Sequence, residues 1–261
     1  MRFLARTLVT AAVVFGLGAF PQPSFGHAVA ALLVAAVLCL AAACSTASGA
    51  ELVAVLATLY FVFGTLVNIP EGVLFDVVKV VDAPVAMARE LGIAIVLAVT
   101  VAAVFGRVRP AGDRAMISAP FATVPALLTR LAAAVAVFVV CYFVAGMIIF
   151  PFVKDYYAGR AMPGPGAIVS MQLLRAVALV ATASFLLRTI PSRRHARLVL
   201  ALALPVLGAI AQLIPPNPLM PPAVRIVHGL EITPYYVLFG FLLATWFGPR
   251  RALQVPGTPT G

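Results

Sequence analysis

The sequence predicts an all-α fold, a polytopic transmembrane helical bundle of about eight spans (seven to eight). Three observations carry this. Hydrophobic residues make up 63% of the 261 residues and charged residues only 10%, with a mean hydropathy of +1.11. Soluble domains carry about 25% charged residues, so this chain has too few to wet its whole exterior. The apolar residues form continuous runs of spanning length, about 17–25 residues, not the alternating ten-residue segments of a barrel. In lipid a helix satisfies its own backbone groups, which makes it the natural spanning element.

Eight runs qualify: Leu4–Phe20, His27–Ala47, Leu52–Asn68, Leu91–Gly106, Val124–Phe150, Ala167–Ile190, Leu198–Ile214 and Ala223–Phe247. The first follows the charged stretch "MRFLART" and also has the make-up of a signal peptide, with small residues at Ser24 and Gly26. A second span begins almost at once, so the first is read as a retained helix. The third ends at "NIPEG", where Pro70 interrupts the pattern. After it, Phe75–Ala88 is moderately apolar and predicts an amphipathic helix along the interface. "PFVKDYYAGRAMPGPG" follows the fifth span as a connection, its paired tyrosines suited to the headgroup level. "IPPNPLMPP" follows the seventh with five prolines in nine residues, a stiff extended cap. Residues 1–251 read as one transmembrane domain and 252–261 as a disordered cytoplasmic tail. No internal repeat stands out.

Charge placement orients the bundle. With the N-terminus inside, the inner segments hold eleven Arg and Lys residues, including Arg107, Arg188, Arg193, Arg194 and Arg197; the outer ones hold five. The positive-inside rule therefore predicts an N-in, C-in arrangement. It also accounts for the net charge of +10 without nucleic acid. Sixteen arginines against two lysines suggest a GC-rich bacterial genome, hence a bacterial cytoplasmic (inner) membrane. Membrane lipids are the expected partners; the oligomeric state is not encoded in any motif. Cys39, Cys44 and Cys141 form no C-x-x-C and predict neither a disulfide framework nor a thiolate metal site.

Ionisable residues inside spans are costly and mark candidate sites. At about 1.5 Å per residue, His228 lies roughly 7 Å below the outer end of the last helix and Glu231 roughly 12 Å. Gln172 and Arg175 reach similar depths on the sixth span, and Tyr142 on the fifth. Asn68 and Glu71 close the third span at the same level. Arg225, His228 and Glu231 are spaced three apart, with Tyr235 four further on, so they share a helical stripe. Pro70 and Pro234 would free the carbonyls of Leu66 and Leu230 beside acidic residues, as helices do where they line a cavity.

Three functions fit such a cluster. Glu71 and Glu231 could balance Arg175 and Arg225 in a purely structural network. The cluster could be an outer-leaflet, transporter-like pocket that binds or transfers an anionic or lipid-like substrate. In it Arg175 and Arg225 would hold the anion, while Asn68, Glu71, Gln172, Tyr142 and Tyr235 line the site. Glu231 with His228 would handle protons. Alternatively, His228, Glu231 and Glu71 could form a two-carboxylate, one-histidine zinc site in an intramembrane hydrolase, or a glutamate could act as general base. The binding pocket, with no cofactor, is the reading preferred here. No H-E-x-x-H, G-x-S-x-G, Walker loop or dinucleotide fingerprint occurs.

Overall fold

A computed structural model describes residues 1–18, 23–108, 123–160, 162–216 and 220–249. The helices are α1 (Arg2–Gly18), α2 (Phe25–Cys44), α3 (Gly49–Phe61), α4 (Ile69–Leu74), α5 (Ala83–Val104), α6 (Val124–Tyr157), α7 (Pro165–Leu187), α8 (Arg193–Pro205), α9 (Ala211–Leu213) and α10 (Pro222–Phe247). A π-helical segment, Val62–Leu66, joins α3 to α4, and a second, Val206–Ile210, joins α8 to α9. Among the described residues seven helical stretches are long and apolar enough to cross a membrane, with α3–α4 and α8–α9 each counted as one. The 17 residues of α1 span about 26 Å, at the short end of the spanning range. The chain is a helical, multi-pass membrane protein.

Two connections differ from the sequence expectation. Helix α6 does not stop at Phe150 but runs through Pro151 to Tyr157. The carbonyl that Pro151 leaves unpaired belongs to Met147, an exposed residue, so the break falls on the outer face of the helix. The expected interfacial helix over Phe75–Ala88 is absent. The chain turns back instead, with Val77 and Val78 donating to the Gly72 carbonyl, and α5 starts already at Ala83. A Cβ at Gly72 would lie 2.8 Å from Val78, so this turn needs glycine. The centre of the proline-rich cap and the tail 252–261 lie outside the described residues.

The bundle also contains the repeat that inspection of the sequence misses. Ala30, Ala31, Val34, Ala35, Val37, Leu38, Ala41 and Ala42 are buried on α2. The residues 145 further on, from Arg175 and Ala176 to Leu186 and Leu187, are buried on α7 in the same pattern. Leu52, Val55, Leu56, Leu59, Val62 and Phe63 correspond likewise to Ala196, Val199, Leu200, Ala203, Val206 and Leu207. Ala94, Leu97, Ala98, Val101 and Ala102 correspond to Tyr236, Phe239, Gly240, Leu243 and Ala244. Contacts follow suit: α1 packs on α2 and α5, as α6 packs on α7 and α10, and α3 packs on α5 as α8 does on α10. Between the units the contacts are reciprocal, α2 with α8 and α7 with α3, which is the signature of a two-fold relation. If α1 is counted, each unit has four spans, both units run in the same direction and the pseudo-axis lies along the membrane normal. Helix α1 thus occupies the position in its unit that α6 occupies in the other, which supports its count as the eighth span.

The two π segments meet on this axis. Their sequences match, V-F-G-T-L-V-N from Val62 to Asn68 and V-L-G-A-I-A-Q from Val206 to Gln212. The π turns leave carbonyls without helical donors, and the two matching amides supply them. Asn68 Nδ2 donates to the carbonyls of Gly64 (2.9 Å) and Gly208 (3.1 Å) and lies 3.2 Å from Gln212 Oε1. Gln212 Nε2 donates to the carbonyls of Gly64 and Leu207. A Cβ at Gly240 would run into the Leu200 carbonyl, so α8 and α10 approach to backbone contact.

The other end of the bundle is arginine-rich. Arg107 donates to the carbonyls of Ala42 (2.9 Å) and Ser45 (2.7 Å), Arg130 to Trp246 (2.9 Å) and Arg193 to Thr245 (2.8 Å). These guanidinium groups cap helix C-termini, where orphan carbonyls and the negative end of the dipole collect.

Candidate functional site

A cavity of about 360 Å³ opens at the end of the bundle opposite the arginines. Five elements build it. Helix α6 contributes Tyr142, Gly146, Ile149, Phe150, Val153 and Tyr157, all on one face by their spacing. Helix α10 contributes His228, Glu231, Ile232 and Tyr235, and α7 contributes Arg175. Asn68 and Glu71 come from the end of the third span, and the following turn adds Phe75, Val77 and Val78. The second π segment supplies Gly208 and Ala209, with Gln212 just beyond.

Two polar groupings share the walls. The first is buried. The Arg175 side chain is 1% exposed and forms an ion pair with Glu71, itself 21% exposed. Its other terminal nitrogen donates to Asn68 Oδ1 at 2.6 Å and to the Tyr236 hydroxyl at 2.8 Å. Gln172 Nε2 donates to the second oxygen of Glu71 at 3.0 Å. Through Asn68 this network continues to the crossed π segments. Tyr236 lies over Gly208, where a Cβ would strike its ring. A guanidinium removed from water requires such a set of acceptors.

The second grouping lines the cavity more openly. Glu231 accepts from His228 Nδ1 at 2.8 Å, and His228 Nε2 is 3.3 Å from the Tyr157 hydroxyl. The side chains of His228 and Glu231 are 15% and 10% exposed. The Tyr157 and His228 rings meet edge to face at 6.4 Å, and Phe75 packs on Tyr157 at 5.9 Å. The Glu231 oxygen not bonded to His228 takes no hydrogen bond from a described residue.

Most of the sequence-predicted residues therefore converge. Asn68, Glu71, Tyr142, Arg175, His228, Glu231 and Tyr235 line one cavity, and Gln172 supports it through Glu71. Arg225 does not join them. Its guanidinium donates to the carbonyls of Leu213 (3.1 Å), Ile214 (3.2 Å) and Pro215 (2.5 Å), closing the seventh span. Each step of three residues turns about 300°, so Arg225 stands about 120° around the helix from Glu231, beside α9. The four-way charge balance of the structural reading is thus not made. Glu71 pairs with Arg175, Glu231 with His228, and Arg225 with backbone. Among the described residues no three His, Cys, Asp or Glu side chains group as metal ligands. The two Glu71 oxygens are held by Gln172 and Arg175.

Sequence reasoning missed Tyr157, Tyr236 and Gln212. Tyr157 arrives because α6 continues past Pro151. Gln212 could have been found by aligning V-F-G-T-L-V-N with V-L-G-A-I-A-Q, which pairs it with Asn68. No family model, curated protein or solved structure matches the chain. Fold and site together define a multi-pass helical membrane protein with a largely apolar cavity at one end that carries two polar groupings.

Proposed function

We propose that this protein binds or transfers an amphipathic, lipid-like molecule in the cavity, at the outer side of a bacterial cytoplasmic membrane. The observation that carries this is the composition of the wall. The Glu231–His228–Tyr157 chain and the Arg175–Glu71–Asn68 network face a chamber whose remaining wall includes Ile149, Val153, Leu213 and Ile232. Its volume falls in the range of small-molecule pockets, about 300–1,000 Å³. The apolar wall suits a hydrocarbon part and the polar chain a headgroup. The sequence-level expectation of an anion loses its ground, because Arg175 is committed to Glu71 and Arg225 to carbonyls. The outer-side placement rests on the positive-inside rule and the arginines at the opposite end.

A second reading has one observation in its favour. Carboxylate, imidazole and hydroxyl follow one another in hydrogen-bonded order, so Glu231 orients His228 and leaves Nε2 toward the cavity. That is the arrangement of a general base with its orienting acid. Among the described residues no Ser, Thr or Cys lines the cavity, so water or a substrate hydroxyl would be the nucleophile unless the Tyr157 hydroxyl serves.

Gly146→Trp tests the binding reading. Gly146 lines the chamber and a Cβ there meets only Glu231 Oε1, at 3.7 Å, so an indole built on it would project into the chamber. Wild type purified in mild detergent should carry an amphiphile, identified by mass spectrometry of its extract, that the folded variant lacks. Equal contents in both proteins would overturn the proposal.

A further inference from the structure

Resting on the amphiphile reading, the charges and aromatic rings of the cavity narrow the ligand class further: we propose that the ligand is a lipophilic organic cation, an amine or quaternary ammonium with an apolar tail. Three features argue for it.

The first is charge. The lining holds two carboxylates, Glu71 and Glu231, against one guanidinium, Arg175. Arg175 gives both terminal nitrogens to Glu71, Asn68 and Tyr236, and only its buried Nε is without a partner. Glu231 has no arginine or lysine at ion-pair distance among the described residues; its neighbour there is the His228 imidazole. The other cationic side chains near this end are engaged elsewhere or absent from the lining. Arg160 donates to the carbonyls of Asp76 and Tyr156 and stacks on the Tyr156 ring, and Arg225 closes the seventh span. Lys79 and Lys154 are exposed.

The second is aromatic content. Phe75, Tyr142, Phe150, Tyr157 and Tyr235 all line the cavity. Ring faces attract cations through their quadrupole, and the attraction grows when water is excluded.

The third is available acceptor capacity. Glu231 gives one oxygen to His228 and leaves the other for a guest. A buried carboxylate with a spare acceptor in an apolar chamber is completed by an incoming cation. The pseudo-equivalent place in the first unit lacks these groups. Arg175 corresponds to Ala30, His228 to Ala86, Tyr235 to Ile93 and Glu71 to Pro215. There the start of α2 closes on the chain, a Cβ at Gly26 lying 3.0 Å from the Ile214 carbonyl. One cation site per chain is therefore expected.

Three probes of equal chain length decide the matter: decyltrimethylammonium, decanol and decanoate, titrated calorimetrically into the full chain in a neutral maltoside detergent. The expected result is one decyltrimethylammonium per chain, bound at least tenfold more tightly than decanol, with decanoate weakest. Glu231→Gln should remove the preference for the ammonium and leave decanol binding as it was. Equal binding of all three would overturn the cation assignment and leave the amphiphile site standing. Binding of none would overturn both. The wild-type ranking decides by itself, so failure of the variant to fold does not block the test.

Discussion

Replacing Glu71 by Gln isolates the contribution of the buried network. Arg175 keeps Asn68 and Tyr236 as partners but loses the only carboxylate within ion-pair distance among the described residues. Leaving one member of a buried pair uncompensated costs about 3–5 kcal/mol. The Glu71 side chain is 21% exposed to the cavity rather than fully buried, so the lower end of that range applies, about 3 kcal/mol. The double variant Glu71→Gln, Arg175→Met removes the stranded charge as well. Well-packed apolar replacements of buried pairs are often neutral, and the first unit already folds with Ala30 where the second has Arg175. The double variant should therefore recover to within about 1–2 kcal/mol of wild type. Cys39 is fully buried and reports opening of the bundle to a thiol-reactive dye. Dye uptake during denaturation in mixed maltoside and dodecyl sulfate micelles gives the stability of each variant. Single and double variants of equal stability would refute the argument that charge compensation holds this corner together.

Other positions separate support from binding. Asn68→Leu removes the amide shared by both π segments and one acceptor of Arg175, and should cost about 1–3 kcal/mol by the same dye assay. Gln212→Leu should cost less, because Asn68 still serves Gly64 and Gly208. Gly240→Val would force α8 and α10 apart at the Leu200 carbonyl; overpacking of this kind costs about 1–3 kcal/mol. Arg225→Ala should lower stability by roughly 1 kcal/mol through the lost carbonyl contacts, yet leave decyltrimethylammonium affinity unchanged within twofold. A large loss of affinity in that variant would put Arg225 back in the site.

Much of this was legible in the sequence because lipid is an unforgiving solvent. Long apolar runs can do little except span, and a polar residue within one must find company. Depth alone brought Asn68, Glu71, Gln172, Arg175, His228 and Glu231 to one level, and the structure joins them there. What stayed hidden was direction around each helix axis. Spacing placed Arg225 on the stripe of His228, but the slow drift of that stripe and the free carbonyls at Leu213–Pro215 turned it away. Proline was over-read at Pro151, where a helix tolerates the break on an exposed face. It was under-read at Pro205, which lies immediately before the second π segment. The repeat was invisible to residue identity because the two units share burial positions rather than side chains; only the short π strings keep a recognisable likeness.

That tandem construction bears on how the cavity came to be single. Two identical subunits around an axis must carry every substitution twice, so an acid introduced at one mouth appears at the other. A chain with both halves in series is released from that constraint. Here one half holds Arg175, His228 and Tyr235, while the other holds Ala30, Ala86 and Ile93 in the matching places. The half without the polar set still supplies Asn68 and Glu71, so each half is incomplete alone, and the division of labour exists only because the two are joined.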